Sequence, residues 1–180
     1  MKGFRILSLV AGLVILAAFT AAIAAEVPRK AGEFVIQYPG AAKSQDLLSE
    51  KIKGKKVTML AFISTTCPHC QTLAQTLSKL QAEYGSKGFQ AMMVAYDPDA
   101  TANLARFRAL YANGVPVGVS QRDPVHNFLQ ISMIGPSYVP KLVVIDSKGM
   151  IREQYNGGDA YFAPEKEHSN LAKSIQTYLK

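Results

Sequence analysis

The sequence predicts an α/β fold, a central mixed β-sheet with helices on both faces. Three observations carry that reading. Apolar runs of strand length alternate with amphipathic helical segments, the last two apolar runs are joined by a tight polar turn, and an amphipathic segment ends the chain. At 180 residues and 48% hydrophobic content, with no internal repeat or low-complexity tract, the chain suits one domain with a real core.

The first 25 residues differ in kind. Lys2 and Arg5 precede an uncharged stretch from Ile6 to Ala25 that ends in Ala22-Ile23-Ala24, the pattern of a basic n-region, an apolar h-region and an A-x-A cleavage site. The stretch is also long enough for a retained anchor. Residues 1–25 are therefore expected to be a signal peptide or N-terminal membrane anchor, 26–33 a linker and 34–180 the folded domain. No cysteine stands directly after the stretch, which argues against a lipid-modified N-terminus. Either reading delivers the domain across a membrane, to the periplasm or the extracytoplasmic face, where disulfide chemistry persists.

The elements then follow in order. Val57–Ile63 is an apolar run of strand length, interrupted only by Thr58. From Gln71 to Tyr84, Leu73, Leu77, Leu80 and Tyr84 share one helical face beside Ala74, and Gly85 and Gly88 end the run. Phe89–Ala95 reads as a buried strand, and Asp97-Pro98-Asp99 as a turn offering capping oxygens to a helix that carries Leu104, Phe107, Leu110 and Tyr111 and stops at Asn113-Gly114. Val115–Val119 is short and β-like. Pro124–Gln130 forms one or two helical turns with Asp123 as N-cap and Phe128 and Leu129 inward. Lys141–Asp146 and Met150–Tyr155, joined by Ser147-Lys148-Gly149, read as a hairpin. Leu171, Ile175, Tyr178 and Leu179 mark a last helix starting at Pro164 or Ser169.

Between the first apolar strand and its helix stands Cys67-Pro68-His69-Cys70, which holds both cysteines of the chain. Two thiols at this spacing, on a strand-to-helix turn, form a dithiol/disulfide pair suited to electron exchange. Cys67 falls at the helix N-terminus, where free N–H groups and the helix dipole favour negative charge, so its thiolate should form readily and serve as nucleophile. Cys70, one turn inside, can attack a mixed disulfide at Cys67 and release the partner. Pro68 suits the first helical turn, lacking an N–H that would go unused there. Protonated His69 would add positive charge beside Cys67.

Other chemistries fit less well. A structural zinc site needs four ligands, and neither His126 nor His168 has the companions to complete one. A purely structural Cys67–Cys70 bridge would close so short a loop that it would stabilise little. Net charge is +7, spread thinly apart from Lys51, Lys53, Lys55 and Lys56, which read as a polar turn around Gly54. Nucleic acid is not an expected partner, since such binding calls for a longer basic stripe with interleaved aromatics.

The element order, with CxxC at the first strand-to-helix turn, resembles the thioredoxin superfamily and its three-layer fold. Val139-Pro140, directly before a strand, adds to the likeness. The resemblance implies a cis-proline there, beside the CxxC, with the backbone of Val139 facing outward to pair with a substrate polypeptide. Pro68-His69 within the motif, and Val before Pro140, resemble DsbA, an exported oxidase. The 70 positions from Cys70 to Pro140 are too few for the helical domain of DsbA and more than thioredoxin has. In that respect the chain is similar to TlpA/ResA-like proteins, whose strand-and-helix insertion would fall within Leu104 to Leu129.

The departures bear on mechanism. Ala61 stands where thioredoxin has a buried acid, Thr66 where an aromatic usually precedes the first cysteine, and Leu73 where some ResA-like members have an acid. Deprotonation of Cys70 is then left to water, His69 or another acid. A peroxiredoxin is an alternative of the same fold, but Leu60 and Ser64 replace the Pro and Thr of the peroxide pocket. A Cu(I)-binding dithiol carrier is a second alternative, with little help from Met92 and Met93, which read as core. The expectation is an exported thiol–disulfide oxidoreductase with no cofactor beyond its redox-active disulfide and no metal. Its partners would be cysteine-containing exported proteins and a membrane or thioredoxin-like electron donor or acceptor.

Overall fold

The structure, a computed structural model, describes residues 25–180. All but the last residue of the expected leader or anchor, 1–25, lies outside them.

Among the described residues, eight strands form one mixed sheet, accompanied by five α-helices. In chain order these are β1 (Arg29–Lys30), β2 (Val35–Gln37), β3 (Gln45–Leu47), α1 (Leu48–Ile52), β4 (Val57–Ile63), α2 (Pro68–Tyr84), β5 (Phe89–Ala95), α3 (Ala100–Tyr111), β6 (Val117–Val119), α4 (Arg122–Leu129), β7 (Lys141–Asp146), β8 (Met150–Tyr155) and α5 (Glu167–Tyr178). The strand order is β1-β8-β7-β4-β5-β6-β2-β3. β4 pairs in parallel with β5 and antiparallel with β7, so it lies in the middle, with every residue buried. That position explains its sequence, apolar but for Thr58, because both faces of a central strand are covered.

Alternate residues of β4 feed two cores. Val57, Met59, Ala61 and Ile63 pack with Leu73, Leu77 and Leu80 of α2, Leu104 and Phe107 of α3, and Leu171 and Ile175 of α5. Leu60 and Phe62 pack on the other side with Leu48, which opens α1, and Val125 and Leu129 of α4. Helices thus cover both faces, as the element order predicts. The insertion region holds the end of α3, β6 and α4. β6 extends the sheet in parallel beside β5, and Gly118 lets β2 approach it. A Cβ there would press on Ile36 and lie 2.7 Å from Gln37 O.

Four local expectations are corrected. The segment 26–33, expected as a linker, contains β1, whose Arg29 and Lys30 pair with Ile151 and Met150 of β8. The Asp97-Pro98-Asp99 turn gives α3 no side-chain cap: Asp99 is the N-cap residue but its side chain makes no capping bond, and the Asp97 carboxylate bonds Thr65. α4 begins at Arg122 with Gln121 as N-cap, so Asp123 sits in its first turn, where the dipole favours it. α5 begins at Glu167, between the two expected starts, with the Lys166 and Glu167 N–H groups both donating to Ala163 O at 2.8 Å.

Candidate active site

The CxxC motif lies where β4 ends and α2 begins. Cys67 is the N-cap of α2, half-buried, with extended backbone, and Pro68 opens the helix. The Cys67 N–H donates to Ser64 O at 3.3 Å, closing the turn, and Cys67 O accepts the Gln71 N–H at 3.0 Å as the helix begins. Pro68 and His69 are exposed on the outer surface of this first turn. Cys70 faces inward and is fully buried, and both cysteines are free thiols. The helix geometry therefore sorts the two sulfurs into an accessible one and a covered one.

The cis-proline implied by the family likeness is present: the Val139–Pro140 peptide bond is cis. Pro140 is buried at the start of β7, Val139 is half-buried, and the Cys67 thiol lies 3.9 Å from Val139 O. The structure therefore brings Cys67 and the Val139-Pro140 segment together across 72 positions of sequence. A chain lying over Val139 would meet the Cys67 sulfur.

Thr65 and Asp97 brace the site from beneath. Asp97 accepts the Thr65 N–H at 2.8 Å and the Thr65 hydroxyl at 2.7 Å. Gln71 Nε2 donates to Thr65 O and Asn103 Nδ2 to Thr65 Oγ1, each at 3.2 Å. These contacts hold the residues before Cys67 against β5, α2 and α3. Burial pushes the Cys70 thiol well above its ordinary value, and the charges of Cys67 and Asp97 push the same way, against a hydrogen bond with the Ser64 backbone.

The Redoxin family profile matches residues 26–175. The chain belongs to the Redoxin family. Solved structures share its fold. A protein from Chlorobium tepidum, provisionally assigned as a thiol:disulfide interchange protein DsbE, is 23% identical with a TM-score of 0.69, over 85% of this chain and 97% of its own. A thiol:disulfide interchange protein of the thioredoxin family from Chlorobium tepidum TLS is 19% identical with a TM-score of 0.67, over 85% and 97%. BsSco, a member of the Sco family of cytochrome c oxidase assembly proteins, is 15% identical with a TM-score of 0.61, over 87% and 97%. No match is found among curated proteins. Family and fold make this Redoxin a thioredoxin-like oxidoreductase of the thioredoxin superfamily.

Three features of this Redoxin site went unread in the sequence. Asp97 is the carboxylate that acts on Cys70, from a place other than those of Ala61 and Leu73. His126, fully buried, tethers the loop leading to Pro140, with Nδ1 2.8 Å from Ser132 O and Nε2 3.0 Å from Ser137 Oγ, which in turn contacts Tyr96 Oη at 3.2 Å. Gly157, after β8, lies against the same loop, where a Cβ would sit 2.7 Å from Val139 N. Only the Asp-Pro-Asp turn carried a local signal, and it pointed to capping.

Proposed function

We propose that the protein is an exported thiol–disulfide oxidoreductase that exchanges its Cys67–Cys70 dithiol or disulfide with cysteines of extracytoplasmic proteins. The observation that carries this reading is the half-buried Cys67 sulfur at the N-terminus of α2, 3.9 Å from Val139 O before a cis-proline, with Cys70 buried beneath it. A substrate strand can hydrogen-bond to the Val139 backbone while its own sulfur reaches Cys67. Export is supported by the basic, apolar and A-x-A pattern of residues 1–25.

In the reducing direction, the Cys67 thiolate attacks a substrate disulfide, forming a Cys67–substrate bond and releasing one substrate thiolate. Cys70 then loses its proton and attacks Cys67 sulfur. The mixed disulfide breaks, the second substrate thiolate leaves and takes up a proton, and two electrons have passed to the substrate. The oxidising direction is the reverse. A membrane or thioredoxin-like partner restores the starting state, and the dithiol needs no further cofactor. Among the described residues no group of three or more His, Cys, Asp or Glu side chains could hold a metal ion, so a Cu(I) carrier would depend on the two thiols alone.

Cys67→Ser is expected to abolish exchange with a small neutral disulfide, and Cys70→Ser to accumulate a mixed disulfide visible by intact-protein mass. Full exchange by Cys67→Ser would overturn the reading. The reduction potential decides the direction: about −120 mV matches an oxidant such as DsbA, and about −270 mV a reductase such as thioredoxin.

A further inference from the structure

A cavity of about 220 Å³ opens beside the loop that ends in Pro140. Lys141 contributes to its wall. It follows Pro140 directly and, by strand alternation, shares its face of β7 with Val143 and Ile145, the face covered by α1 and α4. The rim is apolar, with Ile134 90% and Tyr138 65% exposed.

Two polar groups of the cavity lack partners. Lys141 is 4% exposed, yet among the described residues its ammonium makes no hydrogen bond and no salt bridge. Asn156 Oδ1, on the same wall, is buried without a donor. His126 is already engaged at both ring nitrogens. Asp159 acts on Lys141 only through space, and its carboxylate accepts the Asn156 N–H at 2.6 Å. The stem of Lys141 is buried, while its ammonium is not cut off from solvent and faces no protein counter-charge within bonding distance. Here the place of the counter-charge is a cavity open to the surface.

We propose that this cavity is a carboxylate subsite of the substrate-binding surface, in which Lys141 Nζ holds the Asp or Glu side chain of a polypeptide whose cysteine is in exchange with Cys67. An acidic residue in a peptide supplies the missing carboxylate for the ammonium. The reach is suitable, since Lys141 follows Pro140 directly and the cavity it lines includes Tyr138, the neighbour of Val139. A carboxylate within a few residues of the substrate cysteine reaches the cavity. The subsite rests on the disulfide-exchange reading and adds a substrate preference to it.

The test uses the protein with cysteine peptides held as disulfides with a neutral thiol. The peptides carry Glu or Gln at each position flanking the cysteine, and a small neutral disulfide is run beside them. At low ionic strength one position is expected to show Glu exchanging about tenfold faster than Gln, the effect of one charge-assisted hydrogen bond. The Glu-to-Gln ratio falls to about one in Lys141→Gln and stays above one in Lys141→Arg. Equal Glu and Gln rates at every position in the wild-type protein, with exchange proceeding, overturn the subsite and leave the oxidoreductase reading standing. A preference that persists in Lys141→Gln also overturns the subsite. Absence of exchange with every peptide and with the neutral disulfide removes both readings. The wild-type comparison needs no variant to fold.

Discussion

Cys70 holds its proton tightly. It is fully buried, its thiol is raised by desolvation, and the Asp97 carboxylate adds a negative charge that opposes the thiolate. Removing that charge in Asp97→Asn should lower the pH at which Cys70 becomes nucleophilic. The expected outcome is a resolution step whose pH profile moves to lower pH, read by stopped-flow release of a thiol preloaded on Cys67. An unchanged midpoint would show that Asp97 acts through Thr65 alone, as a positioning residue. Cys67, Pro68, His69 and Cys70 are legible in the sequence because their chemistry depends on local spacing. Asp97 is not. It reaches Thr65 because Ile63 of β4 is in register with Ala95 of β5, so the residues two beyond each strand lie side by side. A single sequence shows where the two strands are without showing that register.

At the scale of elements, β4, β5, β7, β8 and the helices α2 and α3 follow from periodicity, since long apolar runs and helical stripes are strong signals. β1, β2 and β3 are two or three residues each, too short to show a period, and only their pairing partners make them strands. The loop after β8 shows the same dependence on tertiary context. Gly157 has no special backbone angle, yet a Cβ would lie 2.7 Å from Tyr138 C and Val139 N and 2.8 Å from Val139 C. These are backbone atoms of the segment proposed above to present Val139 to substrate, so they can yield only by moving that segment. Gly157→Ala is expected to cost about 1–3 kcal/mol in urea denaturation, the usual range for overpacking. It should also slow exchange with cysteine peptides more than exchange with a small disulfide, which makes no use of the Val139 backbone. At Gly158 a Cβ meets nothing within 4 Å, so Gly158→Ala should stay within about 0.5 kcal/mol of wild type. Equal effects of the two substitutions would show that the loop does not support the Val139 segment.

For the whole molecule, a mixed sheet with helices on both faces is legible from element order, but the division of α2, α3 and α5 from α1 and α4 is not. It depends on which way each crossover passes, and the structure sets α5 beside α2 at the active-site face. That contact buries a carboxylate. Glu167, the first residue of α5, is 5% exposed and accepts a hydrogen bond from Thr76 of α2 at 2.8 Å. Burial raises it above its ordinary value of 4.5, while the Thr76 bond and the charges of His69 and His168 lower it, and the net shift is upward. A carboxyl raised on folding binds its proton more tightly in the native than in the unfolded chain. Its contribution to stability is therefore most favourable below pH 4.5 and declines as pH rises through the native value. Glu167→Gln keeps an acceptor for Thr76 and removes the charge. The variant should have a higher urea midpoint than wild type at pH 7, with an unchanged m-value, and the two should converge below pH 4.5 as Glu167 becomes neutral. A lower midpoint at pH 7 would mean that attraction to His69 and His168 outweighs burial, and that the ionised carboxylate holds α5 to the CxxC helix.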